Sequence, residues 1–315
     1  GDRAGVSAIR PGSAIPVTFH GKRATVVPVG AQVVSDPIEF PVRARDNVTV
    51  TTYLAHGQAS TAITSHPGSR TTSYLVTGDH VTDDDLPGAG PVDHWYFLSG
   101  AEVSTADSTA AVAIVGDSLT DGRGSTTNGN DRWPDRLAAR LRPGTAVLNQ
   151  AAGGNRVLQD GLGPSALARL DRDVLAQSGV AWAIVFEGVN DIGTAAATPA
   201  AQQQVAADLI DAYDQIITRA QAQGIRVYGA TLTPFGGNTG YDDTAGLRES
   251  ARQAVNTWIR TSDRFDAVLD FDHVARDPHA PARLLPGYDV GDHLHLGPAG
   301  YRALADSVPS KLFES

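Results

Sequence analysis

The rhythm of hydrophobic positions changes near residue 105. Before that point, short β-branched runs alternate with turn residues: residues 15–19 (IPVTF), 24–27 (ATVV), 38–42 (IEFPV), 48–54 (VTVTTYL) and 73–76 (SYLV). Gly, Pro, Asp and Asn punctuate them at short spacing, and no helical period of useful length occurs. This pattern predicts an antiparallel β-rich module, a sandwich. Residues 79–88 (DHVTDDDLPG) read as a surface loop, 93–99 (DHWYFLS) as a further strand and 104–109 as a linker.

After residue 110 strands and helices alternate. Residues 111–115 (AVAIV) and 181–186 (AWAIVF) are continuous apolar runs, as expected of strands covered on both faces. Residues 146–148, 225–230 and 268–271 supply three more strands. Between them fall a helix at 133–141, with Pro134 suited to its first turn, and a long helix at 199–223. In the long helix Val205, Leu209, Tyr213, Ile216, Ile217 and Ala220 share one face, and Gly224 sits where a C-cap belongs. Leu247, Ala251, Val255 and Trp258 mark another amphipathic helix, and a last one starts near Pro298. Alternating strands and helices imply right-handed crossovers and a parallel sheet with helices on both faces. The chain therefore divides into residues 1–105, a β-rich module, and 106–315, an α/β domain.

Composition narrows the classes of function. The 315 residues suit one large domain or two ordinary ones. With 35 acidic against 25 basic residues the net charge is −10, which gives no footprint for nucleic acid. No apolar run reaches the roughly 18 residues that a membrane-spanning helix needs, so integral membrane association is not expected. Cysteine is absent, which excludes disulfides, thiolate metal sites and a cysteine nucleophile. Methionine is absent too, and the chain opens GDRAGVSAIRPGSA; this reads as a processed chain whose secretion signal has been removed, hence as extracellular.

In a parallel sheet ligands bind outside the carboxyl ends of the strands, so those loops are where chemistry is expected. The first strand is followed by Gly116-Asp117-Ser118-Leu119, a tight turn that can expose a serine hydroxyl. The second is followed by NQAAGGN, whose Gly154 can offer a backbone N–H. The third is followed by Gly188-Val189-Asn190-Asp191, whose Asn190 amide is a fixed donor suited to an oxyanion. Near the end, Asp292 precedes His295 by three residues, close enough to accept the imidazole Nδ1–H and free Nε2 as a base. A competing reading makes His293, His295 and Asp292 metal ligands, helped by His273 or Asp272. It leaves Ser118 and Asn190 without a role, so no metal and no organic cofactor is expected.

These residues resemble the SGNH/GDSL hydrolase family. Its four marker positions match Ser118, Gly154, Asn190 and His295, with Asp292 as the partner of His295, from roughly residue 111 to the end. The resemblance implies a flavodoxin-like three-layer parallel sheet of SGNH hydrolase type. It also implies a catalytic triad of Ser118, Asp292 and His295 and an oxyanion hole of Ser118, Gly154 and Asn190. The stretches GDSLTDGRGSTTNGNDRWPD, FEGVNDIG, YGATLTPF and GDHLHLGPAGY are similar to a secreted bacterial subgroup, often from actinomycetes, with an extra β-rich N-terminal module. Relatives have further strands upstream, which implies that the module here is incomplete. Two departures stand out: Ala151 replaces the first glycine of the second block, and Leu296-Gly297 follows the histidine where Pro-Asn is common.

The resulting expectation is a serine esterase acting on short acyl groups of a small-molecule or polysaccharide ester, with Asp117, Leu119, Asn155 and Phe235 as candidate substrate contacts. Two alternatives remain open. One is a lipase-like or lysophospholipase hydrolase of longer chains. The other is a weakly active polysaccharide-binding protein that uses Trp95, Tyr96 and Phe97 as a stacking surface.

Overall fold

The computed structural model describes residues 3–58, 63–105 and 109–314. The chain divides into two compact units, Gly1–Glu102 and Val103–Ser315. The expected linker at 104–109 includes residues 106–108, which lie outside the described residues.

In the first unit four short strands, β1 (Ser65–His66), β2 (Ser73–Leu75), β3 (Gly90–Val92) and β4 (Trp95–Tyr96), form two antiparallel ladders, β1–β4 and β2–β3. This differs from the expected sandwich. The runs at 15–19, 24–27, 38–42 and 48–54 join no ladder; Phe19 and Lys22 make an isolated bridge. A β-branched run favours extended backbone, but a sandwich also needs a second apolar layer facing the first. Here Val26, Val29 and Val34 face solvent, and among the described residues of this unit Ser69 alone is buried. Local order comes instead from polar turns. The Asp36 carboxylate accepts the Thr18 hydroxyl at 2.7 Å and the His20 and Gly21 N–H groups at 2.9 and 2.8 Å. Trp95 and Tyr96 are half-buried, with Trp95 edge-on to His66 at 5.0 Å, while Phe97 is exposed.

The second unit follows the α/β expectation. In chain order it contains β5 (Ala110–Gly116), α1 (Ser118–Asp121), α2 (Trp133–Ala138), β6 (Thr145–Asn149), α3 (Ala166–Leu170) and β7 (Val180–Phe186). Then come α4 (Val189–Thr194), α5 (Pro199–Gln221), β8 (Arg226–Ala230), α6 (Leu247–Thr261), β9 (Ala267–Leu269) and α7 (Phe271–Ala275). A small hairpin, β10 (Arg276–Asp277) and β11 (Ala280–Leu284), and α8 (Pro298–Ser307) complete it. The five central strands are parallel in the order β6-β5-β7-β8-β9. This is the doubly wound order whose switch point falls between β5 and β7.

Burial explains why these segments form these elements. Residues 111–116 of β5 and 182–186 of β7 are buried throughout, as a central strand between two helical layers requires. Helix α5 starts at Thr198, whose side chain accepts the Ala201 N–H, with Pro199 in its first turn. Its buried face carries Val205, Leu209, Tyr213, Ile216, Ile217 and Ala220, the stripe read from the sequence. In the core Trp133 of α2, Phe186 of β7 and Phe271 of α7 meet edge-to-face with centroids 5.0 to 6.5 Å apart.

Stability should therefore rest on the second unit. Leu209→Ala, at a fully buried position, should lower the unfolding free energy by about 2–5 kcal/mol. Val29→Ala, at an exposed one, should change it by less than about 0.5 kcal/mol. Urea titration followed by tryptophan fluorescence checks both.

Candidate active site

Ser118 sits at the first position of α1, directly beyond the end of β5. The turn that puts it there is tight. A Cβ on Gly116 would come within 2.6 Å of the Thr120 hydroxyl and 3.1 Å of the Phe186 carbonyl, so only glycine fits. Asp117 caps the helix, its carboxylate accepting the Leu119 N–H at 2.9 Å. The Ser118 hydroxyl is left facing His295, with Oγ 2.8 Å from Nε2.

His295 is placed by the loop after the β10–β11 hairpin, which the buried Leu294 and Leu296 anchor in the core. Asp292 turns this loop on itself. Its Oδ1 accepts the backbone N–H groups of Leu294 and His295 at 3.1 and 2.9 Å, and its Oδ2 lies 2.6 Å from His295 Nδ1. Burial acts to raise the Asp292 pKa, but the hydrogen bonds from the His295 N–H and imidazole outweigh it and hold the carboxyl below its ordinary value. An ionised carboxylate only accepts, so the ring proton belongs on Nδ1 and Nε2 is free to accept from Ser118.

The donors lie on the other side. Gly154 has φ +73°, a left-handed conformation that favours glycine. Asn190, on the first turn of α4, is buried, and its Nδ2 donates to the Asn155 carbonyl at 2.8 Å. The hydroxyl of Tyr241 donates to its Oδ1 at 2.7 Å. Among the described residues, the Ser118 and Gly154 N–H groups and the second amide proton of Asn190 donate to nothing in the fold. Three uncommitted donors therefore follow β5, β6 and β7, on either side of the switch point.

The loop that carries Gly154 is held from below. Asp191 accepts the N–H groups of Val157 and Leu158 at 2.9 and 3.0 Å. The Asn155 side chain donates to the Pro164 carbonyl and accepts Arg169 Nε, each at close range (2.8 and 2.9 Å). Arg169 is buried and also reaches the Gln150 and Gly116 carbonyls, Asp173 at 3.0 Å and Glu187 at 3.4 Å. Sequence reading missed both Arg169 and Glu187. A glutamate placed directly after the buried run AWAIVF was the available signal, since a buried charge needs a partner.

The four expected substrate contacts are buried. Asp117 and Leu119 are each 1% exposed, Asn155 2% and Phe235 1%. Asp117 caps α1, Asn155 braces the loop, and Leu119 and Phe235 belong to the core, with Phe235 edge-on to Tyr241. The ligand set of the metal reading is likewise engaged elsewhere. Asp272 is held by Arg252 and Arg260 at 2.6 Å each, His273 Nδ1 lies 3.1 Å from Arg276, and His293 Nδ1 lies 2.5 Å from Asp289. Among the described residues no group of three or more His, Cys, Asp or Glu side chains could hold a metal ion.

Residues 114–303, more than half of the chain, match the GDSL-like lipase/acylhydrolase family. The chain belongs to that family. It is a carboxylic ester hydrolase of GDSL/SGNH type. No curated protein matches it. Similar solved structures include a GDSL-like lipase from Bacteroides thetaiotaomicron, 17% identical, covering 62% of this chain and 84% of that one at a TM-score of 0.45. Another is a catalytic mutant of an acetylxylan esterase from Geobacillus stearothermophilus, 18% identical, covering 64% and 92% at 0.48.

Burial raises the titrations of three carboxyls in this GDSL hydrolase, Glu187, Asp117 and Asp191. Burial pushes Glu187 up to about 8, against the pull of Arg169, and pushes Asp117 up to about 7. Glu187 Oε1 is buried without a partner, which also disfavours its charge. Glu187 and Asp117 both keep their protons when folded at pH values where the unfolded chain has lost them. The folded state then binds more protons, and stability falls as pH rises from about 4.5 to about 8. Denaturant unfolding across that range should show the decline, and Glu187→Gln should flatten it.

Proposed function

We propose that this hydrolase cleaves carboxylic esters through a Ser118–His295–Asp292 triad and an acyl-enzyme, acting outside the cell on short acyl groups carried by a carbohydrate. The observation that carries this reading is the continuous relay of Ser118 Oγ, His295 Nε2 at 2.8 Å and Asp292 Oδ2 at 2.6 Å from Nδ1.

His295 takes the Ser118 proton as Oγ attacks the ester carbonyl. The developing oxyanion is bound by the Ser118 and Gly154 N–H groups and by the free amide proton of Asn190. Such donors act where charge forms, and each is worth about 10²–10³ in kcat. His295 then passes its proton to the leaving alcohol, the acyl group stays on Oγ, and His295 activates the water that releases the acid. Asp292 stays ionised throughout and keeps the ring in its working tautomer. Hydrolysis by this route needs no metal, so a chelator should leave it intact.

The short-acyl preference is supported by the packing of Leu119 and Phe235. These apolar side chains, which follow β5 and β8, are committed to the core and are not available to hold a long acyl chain. The carbohydrate and the extracellular setting follow from the resemblance to secreted relatives.

Release of p-nitrophenol from acetate, butyrate, octanoate and palmitate esters tests the proposal. Hydrolysis should fall steeply beyond butyrate. Ser118→Ala should abolish it with the fold retained, and Asp292→Asn should lower kcat by roughly 10⁴. A preference for octanoate or longer would favour the lipase-like alternative. Full activity in Ser118→Ala would remove the triad.

A further inference from the structure

An oxyanion donor built from a side-chain amide has a weakness that a backbone N–H lacks. Asn can rotate half a turn about its last bond and present its carbonyl, a repulsive acceptor, where its NH₂ is needed. Something must therefore decide which way Asn190 points. One determinant is the Asn155 carbonyl, which accepts Nδ2 at 2.8 Å. The other comes from a different part of the chain, the loop that follows β8.

In that loop Tyr241 donates its hydroxyl to Asn190 Oδ1 at 2.7 Å. The approach depends on a small residue one turn further along α4. A Cβ on Gly193 would fall 2.4 Å from the Tyr241 ring, so the ring lies against bare backbone there. Phe235 supports the ring edge-on with centroids 6.4 Å apart. Asn238 fixes the backbone: its Oδ1 accepts the Gly240 and Tyr241 N–H groups at 2.9 Å each, and its Nδ2 donates to the Asp292 carbonyl at 2.7 Å. A chain of contacts thus runs from the loop that carries the acid–base pair, through Asn238 and Tyr241, to the amide of Asn190.

We infer that Tyr241 is a positioning residue for ester hydrolysis: its hydroxyl holds the Asn190 side chain in the orientation that presents NH₂ to the oxyanion. The flipped orientation would leave the Tyr241 hydroxyl proton with no other acceptor among the described residues and set the Asn190 carbonyl against the carbonyl of Asn155. Burial, together with the nearby Asp117 and Asp191 carboxylates, raises the Tyr241 pKa above its ordinary value. The hydroxyl accordingly keeps its proton and remains a donor at neutral pH. This role rests on Asn190 being an oxyanion donor, as proposed above.

The test is a double-mutant cycle of Tyr241→Phe and Asn190→Ala, read as kcat and KM on p-nitrophenyl acetate and as inhibition by a trifluoromethyl ketone. Phenylalanine keeps the ring and its packing. The loss of a single neutral hydrogen bond predicts a three- to tenfold fall in kcat, or about that, with KM unchanged. Binding of the ketone, whose hemiketal oxyanion mimics the transition state, should weaken by the same factor. With Asn190→Ala already present, Tyr241→Phe should do nothing more.

A multiplicative effect of the two changes, or a rise in KM in place of a fall in kcat, would overturn the inference and leave the oxyanion reading standing. Unchanged kcat in Asn190→Ala would overturn the oxyanion reading itself. Should Tyr241→Phe fail to fold, 3,5-difluorotyrosine at 241 changes only the acidity of the hydroxyl. A phenolate cannot donate to Oδ1, so the alkaline fall in kcat should then move to lower pH, and an unmoved profile would refute the role.

Discussion

The buried guanidinium of Arg169 ties together the ends of three neighbouring strands. It donates to the Gly116 carbonyl at the end of β5, to Gln150 and Asn155 in the loop after β6, and to Glu187 just beyond β7. Those are the positions from which Ser118, Gly154 and Asn190 emerge. A parallel sheet lines up strand ends but says nothing about the paths of the loops that leave them. Planar guanidinium geometry, with five donors in a fixed fork, converts the aligned ends into a fixed set of loop paths. Asp173 accepts from the same group at 3.0 Å, so the cation is paired although it lies out of water.

The arrangement concentrates polar and ionisable groups where a core would ordinarily be apolar. Asp117, Asn155, Glu187, Asn190 and Asp191 are all buried in the segments that follow β5, β6 and β7. Most are committed to holding backbone: Asp117 caps α1, Asp191 grips the Val157 and Leu158 N–H groups, and Asn155 braces its own loop. Buried polar groups of this kind cost stability unless satisfied, and satisfied ones admit few alternative geometries. The raised titrations of Asp117 and Glu187 are the visible consequence. The fixed loop paths of this hydrolase therefore come with a dependence of folding on pH.

The two units contrast in how their order arises. The Val103–Ser315 unit is held by a continuous core that joins both helical layers to the sheet. The Gly1–Glu102 unit has local polar turns, such as that around Asp36, and short two-stranded ladders. The same kinds of β-branched residues occur in both. What differs is whether a second apolar surface is available to cover them.

That difference sets what could be read from the chain alone. The α/β architecture was legible because continuous apolar strands and a 3.6-residue stripe in α5 are local patterns with one way to bury themselves. Ser118, Gly154, Asn190, Asp292 and His295 were legible because each follows a strand or sits at a spacing with a direct chemical meaning. The pairing of strands at the N-terminus was not, because alternation predicts extended backbone and not its partner. The burial of Asp117, Leu119, Asn155 and Phe235 was not legible, because it depends on a helix cap, on bonds from distant segments and on core packing. Arg169, Glu187 and Tyr241 acquire meaning only when residues far apart in the chain are brought together: Tyr241 stands 51 positions from the amide it touches. The sequence by itself determined which groups could react. The tertiary structure decided which of them meet, which are buried, and which way the amide of Asn190 points, because those are properties of long-range packing and hydrogen bonding.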